Sequence, residues 1–235
     1  MRYDNIVKGI FMSRPNRFIA NVEIDNKCEV VHVKNTGRCK ELLVPGATVY
    51  LQKCDKSDRK TKYDLISVIK KNNRGDILIN MDSQVVNDVA YEWLQNHEMF
   101  SENAKFTREY TVKHNDTKSR FDIFVEDESR KAFIEVKGVT LENDGVASFP
   151  DAPSLRGIKH LNHLSLLKKE GYDAYVLFVI QMKGVSSFTP NKATHKEFWE
   201  AIKNAEQNGV KILCYDCVVD SDSIRIDKPI RYFFE

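Results

Sequence analysis

Three charged residues stand within two apolar stretches that are otherwise typical of buried β-strands. Residues 119–138 read SRFDIFVEDESRKAFIEVKG, with Asp122 in the first apolar stretch and Glu135 and Lys137 in the second. Acidic residues and lysine are poor strand formers, and a buried charge without a partner is costly. If the turn is centred on Glu128, Asp122 lies within one residue of Glu135 across the ladder. The pattern therefore predicts two carboxylates and an ammonium group at one end of a hairpin.

This group of side chains is suited to phosphodiester hydrolysis. Two carboxylates held a few ångströms apart repel each other, and a hard divalent cation removes that penalty. Mg²⁺, or Mn²⁺ in its place, takes oxygen ligands from one or two carboxylates and completes its shell with water and phosphate oxygens. We predict a metal site at Asp122 and Glu135, with the carbonyl of Val136 as a further ligand. Lys137 would hold the attacking water or stabilise the charge of the transition state.

Each of these residues also has a purely structural interpretation. Glu109, in the strand candidate FTREYTVKH, is either a third carboxylate ligand or a solvated strand residue. Asp122, Glu135 and Lys137 would also be explained by a salt-bridge cluster at a sheet edge, and their spacing alone does not separate the two interpretations.

The residues after about 82 alternate between strands and helices. The pattern predicts a helix in SQVVNDVAYEWLQN, a helix from Ser154 to about Glu170 with an apolar stripe beginning at Leu155, and a third opening with a Thr194–Glu197 capping box. YDAYVLFVI and VKILCYDCVV are typical of fully buried strands, and ENDGVASFPDAP of a loop. These features predict an α/β sheet with helices on its faces.

The first 82 residues are typical of an all-β unit. Short alternating segments are separated by turn signals at Arg14-Pro15-Asn16, Asp25-Asn26 and Pro45-Gly46. About five strands in this length fit a small closed barrel, either an OB-fold or an SH3-like barrel. We therefore predict a mixed α/β chain with an OB-like β-barrel over residues 1–82 and an α/β domain over residues 83–235.

Charge is unevenly divided between these two units. The chain has a net charge of +2, but residues 1–82 hold 16 Lys and Arg against 10 Asp and Glu. A basic unit attracts polyanions, and barrels bind nucleic acid through basic grooves and stacking aromatics. Phe11 and Phe18 are expected in the core. The candidate nucleic-acid-binding residues are Arg14, Arg17, Lys34, Arg38 and Lys40 in the first unit, and Arg156, Lys159 and His160 in the second.

Four motifs, taken in order, resemble the sugar fermentation stimulation protein A (SfsA) family across almost the whole chain. They are KNTG at 34–37, SRFD at 119–122, EVKGVTL at 135–141, and FPDA…RG-KHL from 149 to 161. The Asp122…Glu135-Val136-Lys137 pattern also resembles the PD-(D/E)xK nucleases, with Phe121 where that signature usually has proline. The resemblance implies an OB-like domain followed by a restriction-endonuclease-like domain, DNA binding, and catalytic roles for Asp122, Glu135 and Lys137.

The sequence thus predicts a DNA-binding protein with a Mg²⁺-dependent nuclease site; the alternative is a non-enzymatic, regulatory DNA-binding protein on a nuclease-like scaffold. DNA is favoured over RNA, and a homodimer stays open. The longest apolar run, AYVLFVI, is too short to cross a bilayer, so we expect no membrane partner. Five unevenly spaced cysteines make a poor disulfide framework, and we expect a cytoplasmic protein whose Cys214 and Cys217 are small buried residues.

Overall fold

The computed structural model describes residues 1–35, 37–54, 59–73, 75–114, 117–128 and 130–234. It has 16 named strands and three named helices in this part of the chain. No helix within the described ranges is both long and apolar enough to span a membrane.

The N-terminal strands form a closed five-stranded barrel. They are β1 (Ile6–Ser13), β2 (Ile19–Ile24), β3 (Lys27–Val33), β4 (Thr48–Lys53) and β5 (Tyr63–Lys70). Their order is β3-β2-β1-β4-β5, and a parallel pairing of His32 with Asp64 and of Val33 with Leu65 closes the barrel. A short β6 (Ile77–Asn80) extends the sheet beyond β5. Alternate side chains such as Val22, Val31 and Leu51 fill the interior, which confirms the predicted barrel.

The second unit is built on a six-stranded sheet. The strands are β7 (Lys105–His114), β8 (Thr117–Asp127), β9 (Arg130–Val139), β12 (Asp173–Ile180), β14 (Lys211–Asp220) and β15 (Ser223–Pro229). Their order is β15-β14-β12-β9-β8-β7. Strands β9, β12 and β14 run parallel to one another, whereas β7 and β15 form the antiparallel edges. The predicted buried strands are therefore confirmed, and Cys214 and Cys217 are buried in β14.

Helices cover both faces of this sheet. The helices are α1 (Val86–Asn96), α2 (Leu155–Lys169) and α3 (Lys196–Gln207). In β12, Tyr175 and Leu177 pack into the core that contains α1, while Val176 and Phe178 pack into the core that contains α2 and α3. The second of these cores continues into the barrel interior, so the two units pack against each other.

Three local expectations are wrong. The segment expected as a loop contains β10 (Leu141–Asn143) and β11 (Val146–Phe149), which join β13 (Ser187–Pro190) and β16 (Arg231–Tyr232) in a small sheet. Leu155 is 79% exposed, because α2 begins at this residue and only its later turns lie on the sheet. Helix α3 has His195 at its N-cap without a side-chain hydrogen bond, so the capping box does not form.

Candidate active site

The β8–β9 hairpin brings Asp122 and Glu135 to neighbouring positions. The antiparallel ladder pairs Ile123 with Ile134, so Asp122 and Glu135 come next on the two strands. Oδ2 of Asp122 accepts a hydrogen bond from the backbone N–H of Val136 at 2.7 Å. Strand register therefore places these two carboxylates next to each other, as the sequence predicts.

Asn87 is a residue of this site that sequence reasoning missed. Its amide Nδ2, in the first turn of α1, donates to Oδ1 of Asp122 at 2.9 Å. Each oxygen of Asp122 thus has a donor, one from β9 and one from α1. No local pattern marks Asn87, because its contact depends on how α1 packs against the sheet.

Glu135 is 2% exposed and is held by two basic side chains. Its Oε1 accepts from the ammonium of Lys137 and lies 2.6 Å from Nδ1 of His160 in α2. Its Oε2 is buried and has no hydrogen-bond partner among the described residues. A buried carboxylate oxygen without a donor is costly, so Oε2 is available to a further ligand.

The two carboxyl groups have pKa values shifted in opposite directions. Burial raises the pKa of Asp122, and the charge of Glu135 adds to this effect against the opposing contributions of Lys137, the Val136 N–H and Asn87. Burial also disfavours the charge on Glu135, but the hydrogen bond from His160 and the charge of Lys137 outweigh it and lower that pKa. The pair therefore shows the mutual repulsion expected of two close carboxylates.

Glu109 stands across from Asp122 on β7, but its carboxylate does not join Asp122 and Glu135 in a group of three ligands. It has a left-handed backbone conformation with φ of 52° and stands between the β7 residues Arg108 and Tyr110, which pair regularly with β8. Its exposed carboxylate lies 3.4 Å from Nη1 of Arg120, a surface ion pair. Among the described residues no three His, Cys, Asp or Glu side chains form a group able to hold a metal, so water or substrate oxygens would have to complete the shell of an ion at Asp122 and Glu135.

Two of the predicted nucleic-acid-binding residues have structural contacts within the protein. The guanidinium of Arg14 donates to three backbone carbonyls, those of Arg17, Asn35 and Arg38, at 2.6–2.7 Å. Its charge holds the barrel turns together, and its N–H groups are largely used. The second residue, Lys34, is held by two carboxylates.

The ammonium of Lys34 lies 2.7 Å from Oδ2 of Asp82 and 3.5 Å from Oδ2 of Asp64, and its side chain is only 13% exposed. It therefore links the barrel to the segment leading into α1. Thr36 of the same KNTG motif lies outside the described residues.

The other basic candidates divide into exposed and buried groups. Arg17, Arg38 and Lys40 are exposed and line one cavity on the barrel; Arg156 and Lys159 are exposed at the start of α2. His160 differs from the prediction, because it is buried between Glu135 and the ring of Phe121. It contacts the site from within the protein.

Phe18 is 54% exposed, so the expectation that it belongs to the core is wrong.

Two family models match the chain. The model described as the SfsA N-terminal OB domain matches residues 12–81, and that described as the sugar fermentation stimulation protein RE domain matches residues 84–223. The barrel and the α/β domain each correspond to one of them.

Similar proteins cover almost the full chain. The sugar fermentation stimulation protein homolog of Clostridium beijerinckii is 57% identical over 96% of both chains. The homolog of Ruminiclostridium cellulolyticum is 53% identical over 98% of this chain and 99% of the relative. The solved structure of Pyrococcus furiosus SfsA in complex with Ca²⁺ matches with a TM-score of 0.81 and 26% identity, covering 99% of this chain and 98% of that one.

Proposed function

Because the chain belongs to the sugar fermentation stimulation protein family, we propose that it is a nucleic-acid-binding hydrolase. It cleaves phosphodiester bonds with a divalent cation, Mg²⁺ or Mn²⁺, at Asp122 and Glu135. The observation that carries this proposal is Oε2 of Glu135, a buried carboxylate oxygen with no partner among the described residues. It lies in the same site as a second carboxylate whose pKa is raised by burial and by the charge of Glu135.

The donor set fits a hard cation. Asp122, Glu135 and the carbonyl of Val136 would offer only oxygen ligands, as Mg²⁺ requires, and few enough to leave room for water and phosphate. Ca²⁺ is a cation of the same oxygen-preferring type, so the complex of the Pyrococcus furiosus relative with Ca²⁺ supports a divalent-cation site in this chain. Bound there, the cation would polarise the phosphate and lower the pKa of a water ligand.

The side chains around the carboxylates have separate roles in this proposal. Lys137 would orient the attacking water or balance the charge that develops on the phosphate. Asn87 and His160 would hold the two carboxylates in position, since each donates to one of them. Two lines of support thus converge on one hairpin: the charges that the reaction needs, and the hydrogen bonds that fix them.

Nucleic acid is the substrate class that the basic barrel favours, with DNA ahead of RNA as the family resemblance implies. In this division of labour, residues 1–82 bind and residues 83–235 cleave. Arg17, Arg38 and Lys40 would contact the phosphate backbone without reading sequence. Arg156 and Lys159 would add contacts beside the cleavage site.

A cleavage assay tests the proposal. Labelled single-stranded DNA, duplex DNA and RNA are incubated with Mg²⁺ or Mn²⁺ and with wild type, Asp122→Asn or Lys137→Ala. We expect wild type to cleave at least one substrate, EDTA to stop it, and each variant to lose about 10²-fold or more in rate. The matched control is Glu126→Gln, which removes an exposed carboxylate from the same strand, 3.0 Å from Lys131.

Equal rates in all four proteins would mean that the activity belongs to a contaminant or to another site. Binding without cleavage under either metal would overturn the hydrolase proposal and favour the non-enzymatic DNA-binding alternative.

A further inference from the structure

Three cavities, each sharing lining residues with the next, form a row that leads from the barrel toward β9. The first, of about 460 Å³, is lined by Arg17, Arg38 and Lys40 among others. The second, of about 360 Å³, shares Arg17 and Arg38 with it and reaches Asp151. The third, of about 100 Å³, shares Asp151 and includes Gly138, which directly follows Lys137 in β9. We call this row the interdomain groove.

The wide end of the groove carries positive charge that the protein does not neutralise. Arg17, Arg38 and Lys40 are exposed, and within the described ranges none of them forms an ion pair. Clustered, unpaired cations of this kind attract a polyanion and release its counterions. The wide end therefore suits a phosphate backbone.

An exposed aromatic residue adjoins one of these cations in the chain. Phe18 follows Arg17 in the chain and is 54% exposed, and Leu43 adds apolar surface to the wall of the first cavity. A base stacked on an aromatic side chain gains a factor of about 5 to 150 in affinity. Only an unpaired base can stack in this way, because the bases of a duplex already stack on one another.

The third cavity, at the β9 end of the groove, is the smallest of the three. A Cβ on Gly138 would lie 2.6 Å from Oε1 of Gln181 and 2.9 Å from Cγ2 of Val86, and one on Gly37 would collide with Oδ2 of Asp151. Backbone and closely packed side chains thus form the walls at this end.

Asp151 adds a negative charge to the middle of the groove. Its carboxylate is exposed and borders both the second and the third cavity, where it would repel a phosphate. Carboxylates accept hydrogen bonds from the amino groups of bases. A strand in this groove would therefore present a base edge to Asp151 and place its phosphates toward the arginines.

We propose that the interdomain groove binds a single-stranded polynucleotide, with Phe18 stacking on a base, Arg17 and Arg38 contacting phosphates, and the strand running on toward Lys137. This inference rests on the proposed function for the identity of the ligand as nucleic acid, and it adds that the substrate is single-stranded.

A binding measurement in the absence of divalent cations tests this inference. Fluorescence anisotropy in EDTA measures the affinity of the full chain for a labelled DNA oligonucleotide, the same sequence as RNA, and the DNA as a duplex. We expect single strands to bind about 10-fold or more tightly than the duplex. Phe18→Ala should weaken single-strand binding by about 5- to 150-fold, and Phe18→Tyr should bind like wild type. The double variant Arg17→Ala, Arg38→Ala should lower the magnitude of the slope of log K against log salt concentration by about 0.7 per lost phosphate contact.

Matched controls come from the same barrel. Val30→Ala and Lys27→Ala remove an exposed apolar and an exposed basic side chain that do not line the groove, and both should bind like wild type. Duplex affinity equal to that of single strands, or Phe18→Ala binding like wild type, would overturn the inference. Neither result would affect the hydrolase proposal, which the cleavage assay tests separately.

Discussion

Oδ2 of Asp122 and the backbone N–H of Val136 are joined by a hydrogen bond of 2.7 Å, so the carboxylate on β8 is fixed directly to the backbone of β9. Glu135 precedes Val136 on that same strand. The relation between the two carboxylates is therefore set by the sheet itself and not by flexible side chains. Sites built on rigid elements in this way hold their ligands in the required geometry.

Divalent cations should stabilise the folded protein through Glu135. A ligand that binds only the folded state at 100 times its Kd adds about 2.7 kcal/mol to the free energy of unfolding, which for a chain of this size raises the Tm by roughly 5–10 °C. Wild type should show this increase with Mg²⁺ or Mn²⁺, and EDTA should reverse it. In Glu135→Gln the increase should nearly vanish, because the neutral amide attracts a cation weakly.

The control for this thermal experiment is Glu126→Gln, which should respond to metal like wild type. A metal-induced rise of the same size in Glu135→Gln would locate the ion elsewhere in the protein.

Removing the amide of Asn87 should weaken metal binding without removing a ligand. Asn87→Ala leaves Oδ1 of Asp122 without its donor, so the carboxylate is less well oriented, and loss of such supporting partners costs about 10- to 100-fold in metal affinity. Titration of the thermal shift against metal concentration measures this. Asn96→Ala is the matched control, because that amide only donates to the carbonyl of Glu92 in the same helix; equal affinities in the two variants would contradict a positioning role for Asn87.

Asp122→Asn should stabilise the metal-free protein at neutral pH. The folded-state pKa of Asp122 is raised above its ordinary value, so the folded state binds this proton more tightly than the unfolded state does. The stability that this group contributes is fully present below about pH 3.9 and is lost as the pH rises through the raised pKa. Asparagine avoids that loss, since its oxygen can accept from Val136 and its amide can pair with a flipped Asn87.

Urea unfolding in EDTA at pH 4 and pH 7 measures this effect. The stability of Asp122→Asn relative to wild type should increase with pH. The same variant should also lose cleavage activity in the assay with metal. A relative stability that stays constant or declines over this range would show that the ionised carboxylate carries no cost in the metal-free fold.

The sequence predicts those parts of the candidate site that lie on strands adjacent in the chain. Asp122 and Glu135 lie on two strands joined by a tight turn, so alternation and turn position predict their pairing. Cys214 and Cys217 were likewise predictable as buried residues, because they lie in an apolar strand. The β10–β11 hairpin was not, since β11 is completed by a parallel pairing with β13 some forty residues later.

The surroundings of two predicted site residues also depend on long-range packing. His160 turns inward because α2 lies on the face of the sheet that bears Glu135, and Arg14 donates to three backbone carbonyls of the barrel loops. Neither fact has a local signature. Phe18 is exposed although most phenylalanines are buried, and such a departure from the average is more typical of a binding surface than of a core.

His163 should make the protein lose stability as the pH falls below neutrality. Its ring is fully buried, with Nδ1 2.7 Å from Oγ of Ser119 and Nε2 without a partner among the described residues. Burial lowers its pKa, and the charges of His114, His160 and Lys159 lower it further. The unfolded state therefore takes up this proton first, so the stability contribution is fully present above the unfolded pKa of about 6.5 and is lost as the pH falls through and below it.

His163→Asn tests this account, because asparagine can keep the hydrogen bond to Ser119 but does not titrate. The smaller side chain should lower the free energy of unfolding by a similar amount at every pH, and it should flatten the decline that wild type shows between pH 7 and pH 5. Ser119→Ala removes the hydroxyl but leaves the titrating ring, and should retain the decline. If His163→Asn kept the full wild-type dependence on pH in this range, the acid sensitivity would have to come from other groups.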